Sequence, residues 1–214
     1  MPKKFAPAPA EPRPYHHGDL RRALIEAAVA LVADEQGWNF SLREVARRAG
    51  VSHNAPYNHF AEKHDLLTAV ATASFDALRE RMLSAIAGID RPRVALVATV
   101  RAYVLFAVEN PALFRLMFGP ALVTVTRHRP AAMRDAGIRA KAVLDDVMLR
   151  GARSGDFAVA PDNESELASA SLSLWSAAHG LTMLVIDRLT GWDVPTDELV
   201  DAVLRRQFDG LAPR

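Results

Sequence analysis

The 214-residue sequence contains no cysteine. Disulfides, zinc–thiolate sites and thiol nucleophiles are therefore excluded, and a reducing cytoplasm suits the chain. Net charge is nearly absent as well, with 26 Lys and Arg against 25 Asp and Glu, a formal +1. Composition alone does not announce a nucleic-acid partner, so any case for one has to be local. There is no nucleophile elbow, phosphate-binding glycine loop, His-Glu-x-x-His pair or pair of carboxylates beside a glycine-rich strand turn. These absences argue against an enzyme, a metal centre and a bound cofactor. Residues 1–14 carry Lys3 and Lys4 with no apolar run after them, so no secretory leader is expected. Residues 168–186 are uncharged but include Ser169, Ser171, Ser173, Ser176, His179 and Thr182. That is a poor hydrocarbon helix, and a buried helix of a soluble bundle is expected instead of a membrane contact.

What is present is apolar residue. Half the chain is hydrophobic, enough for one large core or two modest ones. The chain is organised around residues 41–60, SLREVARRAGVSHNAPYNHF. Ser41 followed three residues later by Glu44 is a capping box. Leu42, Val45, Ala46 and Ala49 make one stripe of a short helix, with Glu44, Arg47 and Arg48 opposite. Gly50 accepts the left-handed conformation that ends a helix, Val51 plugs the corner, and Ser52 is expected to cap a second short helix. Arg43, Arg47 and Arg48 against Glu44 give this stretch a surplus of two positive charges. A capped helix, a glycine turn and a second helix define a helix-turn-helix, whose second helix enters the major groove of DNA. An ordinary helical hairpin with solvated arginines is the alternative.

This stretch, extended to SLREVARRAGVSHNAPYNHFAEKHDLL and preceded by YHHGDLRRALIEAAVALVADEQG, resembles the TetR (tetracycline-repressor) family of bacterial transcription regulators. The segments YVLFAVENPALFRLMFG and LWSAAHGL resemble, more loosely, the C-terminal domain of some members, with its Trp-x-x-x-His-Gly element. The resemblance implies an all-α fold in which a three-helix DNA-binding domain is joined by a long helix to a ligand-binding, dimerising bundle. It also implies that Tyr57, His59 and Lys63 grip phosphates, that His53 and Asn54 read bases, and that Ser41, Arg43, Ser52, Ala55 and Pro56 complete the contact surface. Asn58 stands where many relatives carry a basic residue, which implies one phosphate contact fewer.

Read in order, residues 1–14 hold five prolines and form a flexible arm, which either touches DNA or is a solvated tail. The histidines of Tyr15-His16-His17-Gly18-Asp19 do not share a helical face, so no metal site is expected. Asp19 instead caps a helix with the stripe Leu20, Leu24, Ala27, Ala28, Leu31 and Val32. The DNA-binding domain occupies residues 15–62 and the regulatory and dimerisation domain residues 63–214. A helix over 62–86 is the only continuous rigid link between them. Further helices are expected over 93–109, 111–118, 130–151, 163–189 and 196–208, with a loop over 151–161.

Helix 163–189 is apolar on two rows. Leu167, Ala170, Leu174, Ala178, Leu181 and Val185, completed by Val200, Val203 and Leu204, are assigned to the seam of a homodimer. Phe106, Phe114, Met117, Phe118, Trp175, His179 and Met183 form a set of large soft side chains. Taken singly they are core filler, and taken together they fit an apolar small-molecule cavity with His179 and Trp175 as polar points. The chain is thus expected to be a dimeric repressor of a pseudo-palindromic double-stranded DNA site, released by an apolar effector. The alternatives are a ligand-independent DNA-binding module, and a helical-bundle carrier or enzyme with a vestigial DNA-binding domain.

Overall fold

The computed structural model describes residues 17–34, 37–122, 129–191 and 194–211, with the backbone alone at 17–19 and 209–211. The proposed arm at residues 1–14, together with Tyr15 and His16, lies outside the described residues. Among those described, the chain is all helix. The order is α1 (His17–Asp34), α2 (Leu42–Arg48), a 3₁₀ turn (Ala55–Asn58), α3 (Lys63–Ile86), α4 (Pro92–Glu109), α5 (Pro111–Phe118), a 3₁₀ turn (Pro120–Leu122), α6 (Ala131–Ser154), α7 (Glu164–Ile186) and α8 (Thr196–Leu211).

Local chemistry accounts for most of these boundaries. At α3, Glu62 and Asp65 form a reciprocal capping box, with the Glu62 amide donating to Asp65 Oδ2 at 3.1 Å. Pro92 and Pro111 occupy first helical positions, where the missing N–H costs nothing. Between α4 and α5 the Asn110 side chain donates to the Phe106 carbonyl at 2.9 Å, and the chain bends by 108°. Asn163 Oδ1 caps α7 by accepting from the Glu166 amide at 3.2 Å. One boundary differs at the N-terminus: α1 starts at His17, so Asp19 lies inside the helix rather than at its cap.

The loop expected over 151–161 starts later than the sequence implies. Gly151 is the fourth-last residue of α6, which ends at Ser154 with Gly155 in the left-handed region at φ +75°. Glycine at 151 serves packing, because the Phe157 ring lies where a β-carbon would be and the Phe157 amide donates to the Gly151 carbonyl at 3.1 Å. Alanine at 151 would gain helix propensity worth about 1 kcal/mol. It would also drive a methyl into a buried ring, a kind of overpacking that costs typically about 1–3 kcal/mol. Gly151→Ala is therefore expected to lower the urea midpoint, whereas alanine at the open Gly155 acts through backbone strain alone.

A single cluster of buried side chains runs from Leu24 to Leu204. Within α3, Leu66, Leu67 and Val70 are buried in its first half, while Phe75, Leu78 and Met82 line the cavity of the body. The long helix is not the only connection between the two parts, because α1 also packs against α5.

Candidate DNA-binding face and effector cavity

The DNA-facing unit is built from α2, the turn after it and the start of α3. Ser41 Oγ accepts from the Glu44 amide at 3.2 Å, and the Ser41 amide donates to Glu44 Oε2 at 2.7 Å. The Ser41 amide and the Ser41 hydroxyl, the latter donating to Glu44 Oε2 at 2.8 Å, hold the Glu44 carboxyl below its ordinary range, with Arg47 and Lys63 adding lesser attraction. At the other end of α2, Gly50 is left-handed at φ +69°. The Val51 amide donates to the Ala46 carbonyl at 3.0 Å and the Gly50 amide to that of Arg47 at 3.2 Å, a Schellman closure.

The reading element after this corner is shorter than expected. It is one 3₁₀ turn, Ala55–Asn58, whose N-cap is Asn54 and carries no side-chain cap bond. The expected Ser52 cap therefore does not form, and Ser52 contributes its carbonyl to the Ala55 amide at 3.0 Å. Pro56 is the physical cause. An α-helix from Ser52 would need an N–H at 56 to reach the Ser52 carbonyl, and proline has none. The i→i+3 bonds of a 3₁₀ turn avoid that position.

Ser52, His53, Asn54, Tyr57 and Asn58 all reach solvent, Tyr57 at 51%. Ser41, Arg43 and Arg47 on α2 are exposed too, and His59 and Lys63 half so. Ala55 and Pro56 are buried, and their placement on the contact surface is corrected: they fix the turn from beneath. Arg48 reaches Asp34 at 2.6 Å, which takes part of its charge from the expected surplus. The Lys63 ammonium lies over the Phe40 ring at 5.2 Å, and the Arg21 guanidinium over Phe60 at 5.3 Å. Sequence reasoning does not single out Arg21. Its place at the open end of α1, in a Leu-Arg-Arg run, is the available signal.

The body encloses a cavity of about 290 Å³ bounded by α3, α4, α6, α7 and the end of α5. Of the expected set, Phe118 and Trp175 line it. Phe106, Phe114 and Met117 do not; they are buried in the core. His179 and the half-buried Met183 also lie outside the lining. His179 packs edge-on against Phe118 at 4.8 Å, with its Nδ1 2.8 Å from Tyr103 Oη. Burial pushes the Tyr103 phenol up and His179 down, so it favours the neutral form of both. The arrangement that satisfies the group has Trp175 Nε1 donating to Tyr103 Oη at 3.4 Å and the phenol donating to Nδ1. The lining residues that the sequence did not mark include Phe75, Tyr103, Arg129 and Ile138.

The row assigned to the seam on α7 is largely taken up by the chain's own core. Leu174, Ala178 and Leu181 are buried in the chain's own bundle, as are Val200 and Leu204, while Leu167, Ala170, Val185 and Val203 pack partly against it. The open face instead carries Leu172 at 52% and Leu184 at 46% exposure, with Ser173, Ser176 and Gly180 between them. A groove of about 480 Å³ follows between α7 and α8, lined by Leu184, Leu189, Leu199, Ala202 and Val203 among others. By length and composition alone α7 could cross a membrane, but its buried face includes Ser171 and Thr182, the latter bonded back to the Ala178 carbonyl at 2.7 Å.

Fold and site together define a helical protein with a helix-turn-helix at one end and a cavity-bearing bundle at the other. Known proteins agree. The family model described as bacterial regulatory proteins of the tetR family matches residues 24–70, and the one described as the tetracyclin repressor-like C-terminal domain matches residues 96–207. The chain belongs to the TetR family. An uncharacterized HTH-type transcriptional regulator of Haemophilus influenzae is 32% identical over 116 residues, covering 54% of this chain and 57% of that protein. The match thus spans little more than half of that relative's length. A protein of unknown function from Rhodococcus sp. RHA1 superposes with a TM-score of 0.79 at 28% identity, covering 94% of this chain and all of that one. A TetR family transcription regulator from Marinobacter aquaeolei VT8 gives 0.65 at 21% identity, over 92% and 97%.

Proposed function

We propose that this TetR-family regulator is a cytoplasmic homodimeric repressor, without catalytic activity, that reads a two-fold DNA site and releases it when a small molecule fills the cavity. The observation that carries the reading is the rigid corner between α2 and the 3₁₀ turn. A capping box at one end and a Schellman closure at the other present His53, Asn54 and Tyr57 to solvent. Asparagine suits the N6/N7 edge of adenine, and histidine suits a purine edge or a phosphate. The dimer rests on the open face of α7, and the ligand on the cavity behind Tyr103. Two reading heads must then meet major grooves about 34–36 Å apart or a multiple of that spacing.

Selection from random duplexes, followed by anisotropy titration at several salt concentrations, tests this. A pseudo-palindromic site is expected to emerge. Asn54→Ala and His53→Ala should each cost about 1–3 kcal/mol at particular base pairs. Tyr57→Phe and Lys63→Gln should weaken all sequences alike, with Lys63→Gln lowering the salt slope by about one. Unchanged affinity after alanine replacement of all four residues would remove the helix-turn-helix from DNA.

A further inference from the structure

Every neutral polar group on the cavity wall is already committed within the protein. Thr99 Oγ1 donates to the Ala95 carbonyl at 2.8 Å, the Tyr103 phenol is bound to His179, and the Trp175 indole N–H points at Tyr103. The charged groups on the wall are all of one sign. Arg129, Arg134 and Lys141 line it, and no Asp or Glu does among the described residues. Arg134 has an exposed partner, Asp135 at 3.0 Å, and such a solvated pair is weak and exchangeable, whereas Lys141 is held by the half-buried Asp145 at 2.5 Å and by Ser171 at 3.2 Å. Arg129 has no carboxylate partner among the described residues. It donates to the Met117 carbonyl and, at 2.6 Å, to that of Phe118, which uses two of the five guanidinium N–H groups. Burial lowers its pKa. Capping the last carbonyls of α5 explains two of these donors and leaves three without a partner among the described residues. The wall residues that reach solvent are Phe118, Arg129, Arg134, Gly137, Ile138, Lys141 and Trp175, with Ile138 at 61%, so the mouth lies along the start of α6, between the end of α5 and α7.

We propose that the cavity takes an amphipathic carboxylate, its apolar body lodged among Phe75, Met82, Met133 and Trp175 and its head held at the mouth by Arg129 with Arg134. This rests on the reading of the cavity as the effector site. At about 290 Å³ the space stands at the lower end of small-molecule pockets, which are roughly 300–1,000 Å³. A single medium-length chain or one ring with a short tail therefore fits better than a multi-ring compound.

The test is calorimetric titration of the full-length protein with decanoate, decanol and decylamine, each below its aggregation concentration. Decanoate is expected to bind at least about tenfold more tightly than decanol, as for a hydrogen bond to a charged group, and decylamine more weakly than either. Arg129→Gln should remove most of that preference while leaving decanol affinity unchanged, and Arg129→Lys should restore part of it. Arg134→Gln, which leaves the α5 cap untouched, should reduce the preference independently if Arg129→Gln folds poorly. Equal binding of acid and alcohol, both abolished by Ala178→Trp, would overturn the carboxylate assignment and leave the cavity reading intact. No binding of any probe, or binding indifferent to Ala178→Trp, would overturn both.

Discussion

Glutamate at both Leu172 and Leu184 is expected to yield a monomer that binds its operator at least about a hundredfold more weakly, as follows from the avidity that joined half-sites gain, roughly 10²–10⁴. Each leucine stands about half exposed on α7. Burying such a side chain against a second copy is worth up to about 1.5–3 kcal/mol, and a carboxylate there must instead be desolvated. Gly180 stands between them on the same face with nothing within 4 Å of where a β-carbon would stand, although glycine costs a helix about 1 kcal/mol relative to alanine. In the dimer proposed above, close approach of the partner's helix would account for that cost. Sedimentation equilibrium reads the loss of the dimer, and operator titration reads the loss of avidity. Glutamate at Leu174, which is 1% exposed, should unfold the chain instead, and that contrast separates seam from core. A wild-type monomer at micromolar concentration would refute the dimer.

Ala178→Trp is expected to abolish release from DNA while operator affinity in the absence of effector stays near wild type. Ala178 is buried and lines the cavity on α7, so an indole there occupies the ligand's volume. Ala107 offers no such site, since it is fully buried and absent from the wall. The required coupling is modest: about 1–3 kcal/mol gives a 5- to 150-fold loss of operator affinity, and DNA must weaken the ligand by the same factor. Operator titration with and without saturating ligand measures both sides. A release that persists in Ala178→Trp would place the effector elsewhere.

The helix-turn-helix is legible in the sequence because its signals are local. Ser41 with Glu44, and Gly50 with Val51, each close a bond within five residues, so spacing alone identifies them. Asn110-Pro111 and Gly119 bound α5 for the same reason. The reading turn is harder, because Ser52 looks like a cap and one proline four residues downstream decides otherwise. On α7, periodicity reports two apolar rows, but no sequence rule says which of them meets the chain's own bundle. The answer comes from α4, α6 and α8, which pack on that helix. The cavity is least legible. Aromatic filler and aromatic wall have the same composition: Phe114 and Phe118 stand one turn apart on the same face of α5 with rings 4.7 Å apart, and only Phe118, at the helix end, reaches the cavity. A usable signal does exist on α6, where Arg134, Ile138 and Lys141 recur on one edge.

The continuity of the core carries a consequence for how the protein comes apart. Leu66, Leu67 and Val70 on α3 belong to the same buried cluster as the core residues of α1 and α2, and α1 packs on both α3 and α5. The DNA-reading end therefore borrows its floor from the body, and a fragment ending at residue 62 would lose the α3 and α5 surfaces on which α1 packs. Loss of order should spread through both ends in one cooperative transition, with calorimetric and van't Hoff enthalpies in agreement. Variation in the body that loosens α3 or α5 then erodes the reading end as well, so the two ends are under a common selective constraint.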